Sequence, residues 1–176
     1  MLELIELTET IDHQLLQNKI NNHLRYLESC GNEGEFADFS NLKIENFDFS
    51  NCKLSGINAH NSVFIKCCFY QCDLYGSVFK DSVFMNINFE KANLGKTEFY
   101  RIKNEDVTFD NANLGSAEFY DCQLNGTSFK NANLGGSSFD ECDLTNVVFE
   151  GAVLENASLT KNIEKNTNWS NIKLIS

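Results

Sequence analysis

The sequence predicts an all-β solenoid made of square coils, and three observations support this prediction. A large apolar residue recurs at every fifth position, and residues of one type recur at every twentieth. Proline is absent from all 176 residues, as expected where nearly every backbone N–H is committed to a ladder, because proline has no N–H to donate. A period of five fits neither a helix (about 3.6) nor a flat strand (about 2). The chain is therefore expected to turn a corner every five residues.

The five-residue period begins at Phe39 and continues to Leu174. Of its 28 central positions, thirteen are Phe, ten Leu, one Ile and one Trp, and only Ala59, Asn104 and Glu164 depart from the rule. The position two residues earlier is small or modestly apolar, and the other three positions are mostly polar. The pattern predicts that the large and the small residue point into a filled tube.

The twenty-residue period predicts how successive coils stack. If four five-residue units form one coil, identical side chains form vertical columns inside the tube, and the units make about seven coils. At the ~4.8 Å spacing of neighbouring strands the tube should be roughly 34 Å long. The two clearest columns are a leucine series (Leu54, Leu74, Leu94, Leu114, Leu134, Leu154, Leu174) and a phenylalanine series (Phe49, Phe69, Phe89, Phe109, Phe129, Phe149) that ends at Trp169.

Segments such as Ala92-Asn93-Leu94-Gly95-Lys96 carry the motif A(D/N)LXX, and residues 37–176 resemble the pentapeptide-repeat family. The resemblance implies a right-handed quadrilateral β-helix with turns at the corners. The stretch from His23 to Ser40 is similar to the leader that precedes the repeats in many bacterial members. The chain is thus divided into an N-terminal helical cap, residues 1–36, and a repeat domain, residues 37–176.

The cap is predicted from a second periodicity. Apolar residues spaced three to five apart predict an amphipathic helix over residues 9–29, with Thr8 or Thr10 as N-cap and Gly31 and Gly34 after its end. An open β-helix exposes unpaired strand edges, so the helix is expected to cover the first coil. At the other end Trp169, Ile172, Leu174 and Ile175 are candidates for self-association, through a two-fold dimer or, alternatively, head-to-tail filaments.

Two polar residues at central positions require an explanation. Asn104 is expected either to form a local bulge, with its side chain bonded to the backbone, or to mark a relaxed acidic site for a partner. Glu164 lies near an end, where the core can open to water.

No catalytic, cofactor or metal site is predicted. His13, His23 and His60 lack the spacing of a metal site or a triad and are expected to be solvated. Five of the seven cysteines (Cys52, Cys67, Cys72, Cys122, Cys142) fall at the small inward position and should behave as buried hydrophobes. Cys30 and Cys68 are the two expected to be accessible.

Charge is the main indication of function. The chain has a net charge of −11, which argues against direct binding to nucleic acid or to an anionic membrane. Residues 104–156 hold ten acidic residues against Lys130 alone, whereas residues 37–103 hold seven acids and eight bases. This acidic segment either keeps the rod soluble or binds a basic partner. The candidate residues for such a binding face are Glu105, Asp106, Glu118, Asp121, Asp140 and Glu141.

These observations predict a cytoplasmic, non-enzymatic acidic rod that acts in protein binding or scaffolding. The start of the chain is acidic and lacks a signal-peptide pattern. The alternative follows from resemblance to the quinolone-resistance members of the family, whose acidic rods imitate DNA and bind gyrase or topoisomerase IV.

Overall fold

The structure, a computed structural model, describes residues 9–174 as a short strand and one helix followed by a four-sided solenoid. The strands of two faces form parallel sheets, in the orders β1-β2-β4-β6-β8 and β3-β5-β7-β9-β10-β11, and the other two faces are joined by isolated bridges. The elements are β1 (Glu9–Thr10), α1 (His13–Glu28), β2 (Leu42–Glu45), β3 (Asn58–His60), β4 (Val63–Ile65), β5 (Val78–Lys80), β6 (Val83–Asn88), β7 (Glu98–Tyr100), β8 (Lys103–Thr108), β9 (Glu118–Tyr120), β10 (Ser138–Asp140) and β11 (Ser158–Thr160).

The register of the solenoid is twenty residues throughout, which confirms the predicted coil. The repeats place seven rungs on each face, and seven rungs make about six full turns rather than the seven coils predicted, because the last units do not close a further turn. On one face the rungs are Asp38, Asn58, Val78, Glu98, Glu118, Ser138 and Ser158. No loop leaves the coil between the first rung and the last in the described residues. Each side chain therefore stays in its own vertical column.

The core consists of stacked rings and leucines, as the two periods predict. Phe109 stacks on Phe89 at 4.8 Å and on Phe129 at 4.9 Å, and it meets Phe119 of the neighbouring column edge to face. Both geometries are favourable for aromatic pairs. Small inward residues leave room for the rings, and where they carry a hydroxyl they satisfy it locally: Ser62 Oγ donates to the carbonyl of Phe39 at 2.8 Å.

The corners explain why the last position of each unit is polar. Residues there adopt a left-handed backbone with φ near +55°, for example Asn41 at 61° and Asn111 at 58°. Asparagine tolerates this conformation better than most residues do. The side chains at these corners point outward, so the corner columns form the edges of the rod.

The N-terminal helix covers the first coil, but its start differs from the prediction. Glu9 and Thr10 pair in parallel with Leu42 and Lys43, so the helix begins only at His13. The N-cap is Asp12, whose carboxylate accepts from the N–H of Gln14 at 2.8 Å. The choice of Thr10 as N-cap is therefore wrong because that residue belongs to a strand, and Thr8 lies outside the described residues.

The expected bulge at Asn104 is absent. Asn104 pairs in register with Phe84, and its side chain points into the core with 9 % of its surface exposed. Its Nδ2 donates to Thr127 Oγ1 at 3.3 Å rather than to the backbone, while Oδ1 has no partner within residues 9–174. The strand keeps its register because the ladder holds the backbone on both sides. Glu164 is exposed, as expected near an end.

Candidate partner-binding surfaces

Four of the predicted acidic residues lie on one face of the solenoid. Phe119 and Phe139 point inward from β9 and β10, so the neighbouring side chains Glu118 and Asp140 point outward. Asp121 and Glu141 follow at the adjoining corner, one rung apart. We call Glu118, Asp121, Asp140 and Glu141 the acidic face. All are exposed except Asp140, which is half-buried.

Tyrosines are part of the same surface. Tyr100 donates to Glu118 Oε2 at 3.1 Å, and Tyr120 donates to Glu141 Oε2 at 3.2 Å. Lys161 also donates to Glu141, at 2.8 Å. The hydrogen bond from Lys161 and, to a smaller extent, the bond from Tyr120 lower the pKa of Glu141. The bond to Glu141 in turn raises the pKa of Tyr120. The acidic face is therefore a hydrogen-bonded network with an exposed aromatic ring at its centre.

Two basic residues flank the acidic face along its corner column. Below it, Arg101 forms a two-pronged pair with Asp81, at 2.6 and 2.8 Å, which lowers the pKa of that carboxyl. Above it lies Lys161, already paired with Glu141. No ion pair among the described residues includes Asp121. The negative charge is thus concentrated between the two basic residues.

Asp140 has an unusual environment within the acidic face. Its Oδ1 is buried and has no hydrogen-bond partner among residues 9–174. A buried polar atom without a partner is costly.

Glu105 and Asp106 do not join the acidic face. Glu105 lies on β8, in the other sheet, where its neighbour one rung below is Met85. Asp106 occupies the corner after it, one side of the square away from Asp121 and Glu141. The structure therefore places the six predicted residues on two sides of the solenoid. Glu105 and Asp106 are as exposed as Glu118 and Asp121, which makes them a useful control.

Sequence reasoning missed three residues of this surface. Tyr100 and Tyr120 occupy one outward column, with ring centroids 6.1 Å apart. Glu98 pairs one rung below Glu118 and extends the line of carboxylates. The twenty-residue spacing that revealed the core columns also relates 98 to 118 and 100 to 120. Applied to the outward positions, it would have found all three.

The far end of the solenoid, which we call the open end, is covered by no residue within the range 9–174. Trp169 stacks on Phe149 at 4.4 Å and is partly buried, as is Ile172. Leu174 is 72 % exposed, and Ile175 lies outside the described residues. Leu159 and Ile163 add exposed apolar surface to the same coil. The structure brings the described candidates for self-association to one end of the rod.

The cysteines and histidines depart from expectation at Cys52, at His23 and at His60, which is half-buried with its Nε2 shielded from solvent. Cys67, Cys72, Cys122 and Cys142 are buried and Cys30 is exposed, while Cys52 and Cys68 are intermediate. Burial raises the pKa of the Cys67 thiol to about 11. The expectation of solvated histidines is wrong for His23, which is fully buried, because the helix face that carries it packs on the first coil. No group of three or more potential metal ligands occurs in the described part of the chain.

Comparison with known families agrees with this geometry. A model of the pentapeptide repeat region matches residues 42–119, and a model of pentapeptide repeats in eight copies matches residues 105–140 and 122–160. The chain belongs to the pentapeptide-repeat family. Neither family model describes a catalytic domain. No curated protein sequence matches the chain significantly. Within residues 9–174, no helix has the length and apolar character to cross a membrane.

Solved structures of pentapeptide-repeat proteins are similar to the chain. A trypsin-treated form of QnrB1, a plasmid-mediated fluoroquinolone resistance protein, has a TM-score of 0.50 at 17% identity over 96% of this chain and 87% of its own. HetL, involved in heterocyst differentiation regulation in the cyanobacterium Nostoc sp. strain PCC 7120, has a TM-score of 0.44 at 14% identity over 86% of this chain and 94% of its own. At such identity the likeness to QnrB1 shows the fold alone.

Proposed function

We propose that this chain is a non-enzymatic, rigid acidic rod of bacterial type that binds a basic protein partner, in a binding or scaffolding role. The acidic face carries the proposal: four carboxylates and an exposed tyrosine lie on rungs held in fixed register. A rigid scaffold of this kind presents charge without an ordering cost on binding, and charge complementarity favours a basic partner. A cytoplasmic location fits the free cysteines.

Neutralising the acidic face tests this proposal. The variant Glu118→Gln/Asp121→Asn/Asp140→Asn/Glu141→Gln removes four charges without changing side-chain size. The control, Glu105→Gln/Asp106→Asn, removes two charges from the other sheet, and Glu118→Gln/Asp121→Asn is the double variant of the acidic face matched to it in charge and exposure. In affinity capture from the source cell, followed by titration of the captured partner with purified rod, we expect the control to bind like the wild type. The face variant should lose binding, and wild-type binding should weaken with salt. Equal binding by the face variant would contradict the proposal.

A second candidate is a DNA-mimicking protein that binds gyrase or topoisomerase IV. Two observations favour it: the fold similarity to QnrB1 over 96% of the chain, and the concentration of ten acids against one base in residues 104–156. The N-terminal helix and the absence of projecting loops between the described rungs distinguish this chain from the quinolone-resistance members it resembles.

The gyrase candidate is tested by DNA supercoiling, with and without ciprofloxacin, titrated with the purified protein. Inhibition of supercoiling, or protection from the drug, at micromolar concentration would support it. If neither is seen at tens of micromolar, this candidate is wrong. The face variant described above should abolish either effect, because the mimicry depends on the same carboxylates.

We also propose that the open end pairs with a second copy of the chain. Leu174 and the partly buried Trp169 and Ile172 form its apolar surface, and the outermost rungs offer unpaired backbone groups. Sedimentation at micromolar concentration should give a dimer for the wild type and a monomer for Leu174→Glu. A monomeric wild type would refute the dimer, and larger species would indicate head-to-tail filaments.

A further inference from the structure

His23 joins the helix to the first coil through a contact that only a neutral ring can make. Its side chain is 0 % exposed, and its Nδ1 accepts the backbone N–H of Ala37 at 3.1 Å. The ring also meets Phe36 edge to face, with centroids 5.1 Å apart. Because the Ala37 N–H is a donor, Nδ1 carries no proton, and the neutral ring therefore holds its proton on Nε2. Nε2 is buried and makes no hydrogen bond within residues 9–174, although the Ser55 carbonyl still acts on the pKa of the ring.

Within the described range 9–174, no charged group compensates a positive charge on this ring. On the helix, Lys19 donates to the carbonyl of Asp38 at 3.4 Å and Arg25 pairs with Glu33 at 3.3 Å. On the first coil, Lys53 pairs with Glu28 at 3.5 Å. The carboxylates nearest in sequence to Ala37 are Glu35 and Asp38, and both side chains are exposed. Burial accordingly lowers the pKa of His23, and the Ser55 carbonyl only partly offsets it.

We propose that His23 is a pH-sensitive latch, which holds the helix on the first coil when neutral and releases it when protonated. A proton on Nδ1 removes the acceptor of the Ala37 N–H and sets two donors against each other inside an apolar contact. The ring can keep both protons only by leaving the interface, and the helix face that carries it must then leave as well. Leu16 and Ile20, the other buried residues of that face, would become exposed to water.

The sign and range of the effect follow from linkage. In the released state His23 titrates near its ordinary value of about 6.5, and in the latched state its pKa is lower. The attachment is therefore complete above pH ~6.5 and is lost as the pH falls towards the lowered pKa. The solenoid should remain folded over this interval, since the carboxylates with lowered pKa, Asp48, Asp81 and Glu141, titrate at more acidic pH.

Hydrogen exchange of the full-length chain tests the latch. Amide protection of residues 13–28, corrected for intrinsic rates, should fall severalfold between pH ~7.5 and pH ~5, because the pKa of His23 is lower in the latched state than in the released state. The variant His23→Gln should show no such fall, since the amide oxygen can accept the Ala37 N–H at both pH values. His60→Gln is the control, because His60 lies on the coil and not on the helix, and it should behave like the wild type. His13→Gln separates out the third histidine, whose ring contacts the Glu45 carbonyl at 2.8 Å across the same interface; the fall between the two pH values should persist in it. Unchanged protection in the wild type, or an equal fall in His23→Gln, would overturn the proposal.

A measurement on the wild type covers the case in which His23→Gln does not fold. Imidazole ¹⁵N shifts should show the proton on Nε2 at neutral pH, and the titration of His23 should coincide with the loss of helix protection. A proton on Nδ1, or a His23 titration that leaves helix protection unchanged, would also overturn the latch.

Discussion

The first and last coils of the solenoid place the same kinds of residue in very different surroundings. Phe39, Ile44 and Leu54 in the first coil are 0 % exposed, whereas Leu159 and Leu174, in the columns of Phe39 and Leu54, are 37 % and 72 % exposed. The difference comes from what lies beyond the coil: strand β1 and helix α1 cover the first, and no described residue covers the last. In a solenoid the neighbouring coil supplies the burial of a core residue.

The largest expected effect is the difference in lost stability between a variant in the first coil and a variant in the last coil. Phe39→Ala should destabilise the protein by about 3–5 kcal/mol, the usual cost of a buried phenylalanine, and Leu174→Ala by less than about 0.5 kcal/mol, since an exposed side chain contributes little. Urea unfolding followed by circular dichroism measures both. Similar losses would mean that the open end is covered in solution, for example by a second copy, and sedimentation of the same samples distinguishes that case.

The second test concerns the middle of the rod, where Asn104 is expected to lower the stability of the core although it lies far from either end. Asn104→Leu, made together with Thr127→Val so that the buried Thr127 hydroxyl does not lose its donor, restores the apolar column between Phe84 and Leu124 and removes an Oδ1 that lacks a partner. It should stabilise the protein by about 1–3 kcal/mol. Thermal unfolding checks this. Asn104→Asp, of equal size but charged, is the control and should destabilise. A neutral effect of leucine would show that an unseen partner satisfies Oδ1.

The third test weakens the cover of the first coil without touching the coil. Asp12→Ala removes the carboxylate that accepts from Gln14 and Leu15 at the helix start, and should cost about 1 kcal/mol. Asp12→Asn, which keeps a side-chain acceptor, should cost less. Hydrogen exchange should place the loss in residues 13–28. A loss spread equally over all coils would contradict the view that the helix is a local cover.

The smallest expected effect is a loss of stability at acidic pH. The pKa values of Asp81 and Glu141 are lowered chiefly by Arg101 and Lys161, so their contribution to stability is present above the unfolded-state pKa and is lost as the pH falls through the folded one. Both pairs are solvent-exposed, so the loss should be slight and weaker in high salt. Melting temperatures between pH ~5 and pH ~3 should fall less steeply in Arg101→Gln, which lacks one pair.

The fold was predictable because its determinants repeat. The position of a phenylalanine within its unit is enough to place it in the core, and the ladder enforces that register on exceptions such as Asn104. The helix start was less predictable, because pairing of Glu9 with Leu42 depends on a contact more than thirty residues away. His23 was misjudged for a similar reason: a periodic pattern identifies an apolar face but not the imidazole that finds a backbone donor across the interface.

The acidic face was predictable only in part. Glu118, Asp121, Asp140 and Glu141 follow from the twenty-residue spacing, as does their separation from Glu105. The distribution of charge around them does not follow from counting acidic and basic residues in residues 104–156. Arg101 and Lys161 lie outside that segment in sequence, yet they flank the acidic face in its own corner column. Vertical neighbours, not sequence neighbours, determine the electrostatics of this surface.

The unbroken twenty-residue register makes the length of the rod a discrete quantity. An insertion of one residue would turn outward carboxylates into the core and phenylalanines to the surface, whereas duplication of a whole coil adds one rung of about 4.8 Å to every face. Viable changes in length should therefore come in whole coils. A lineage can lengthen or shorten this protein by recombination between its own repeats, and each step keeps every column of side chains in line.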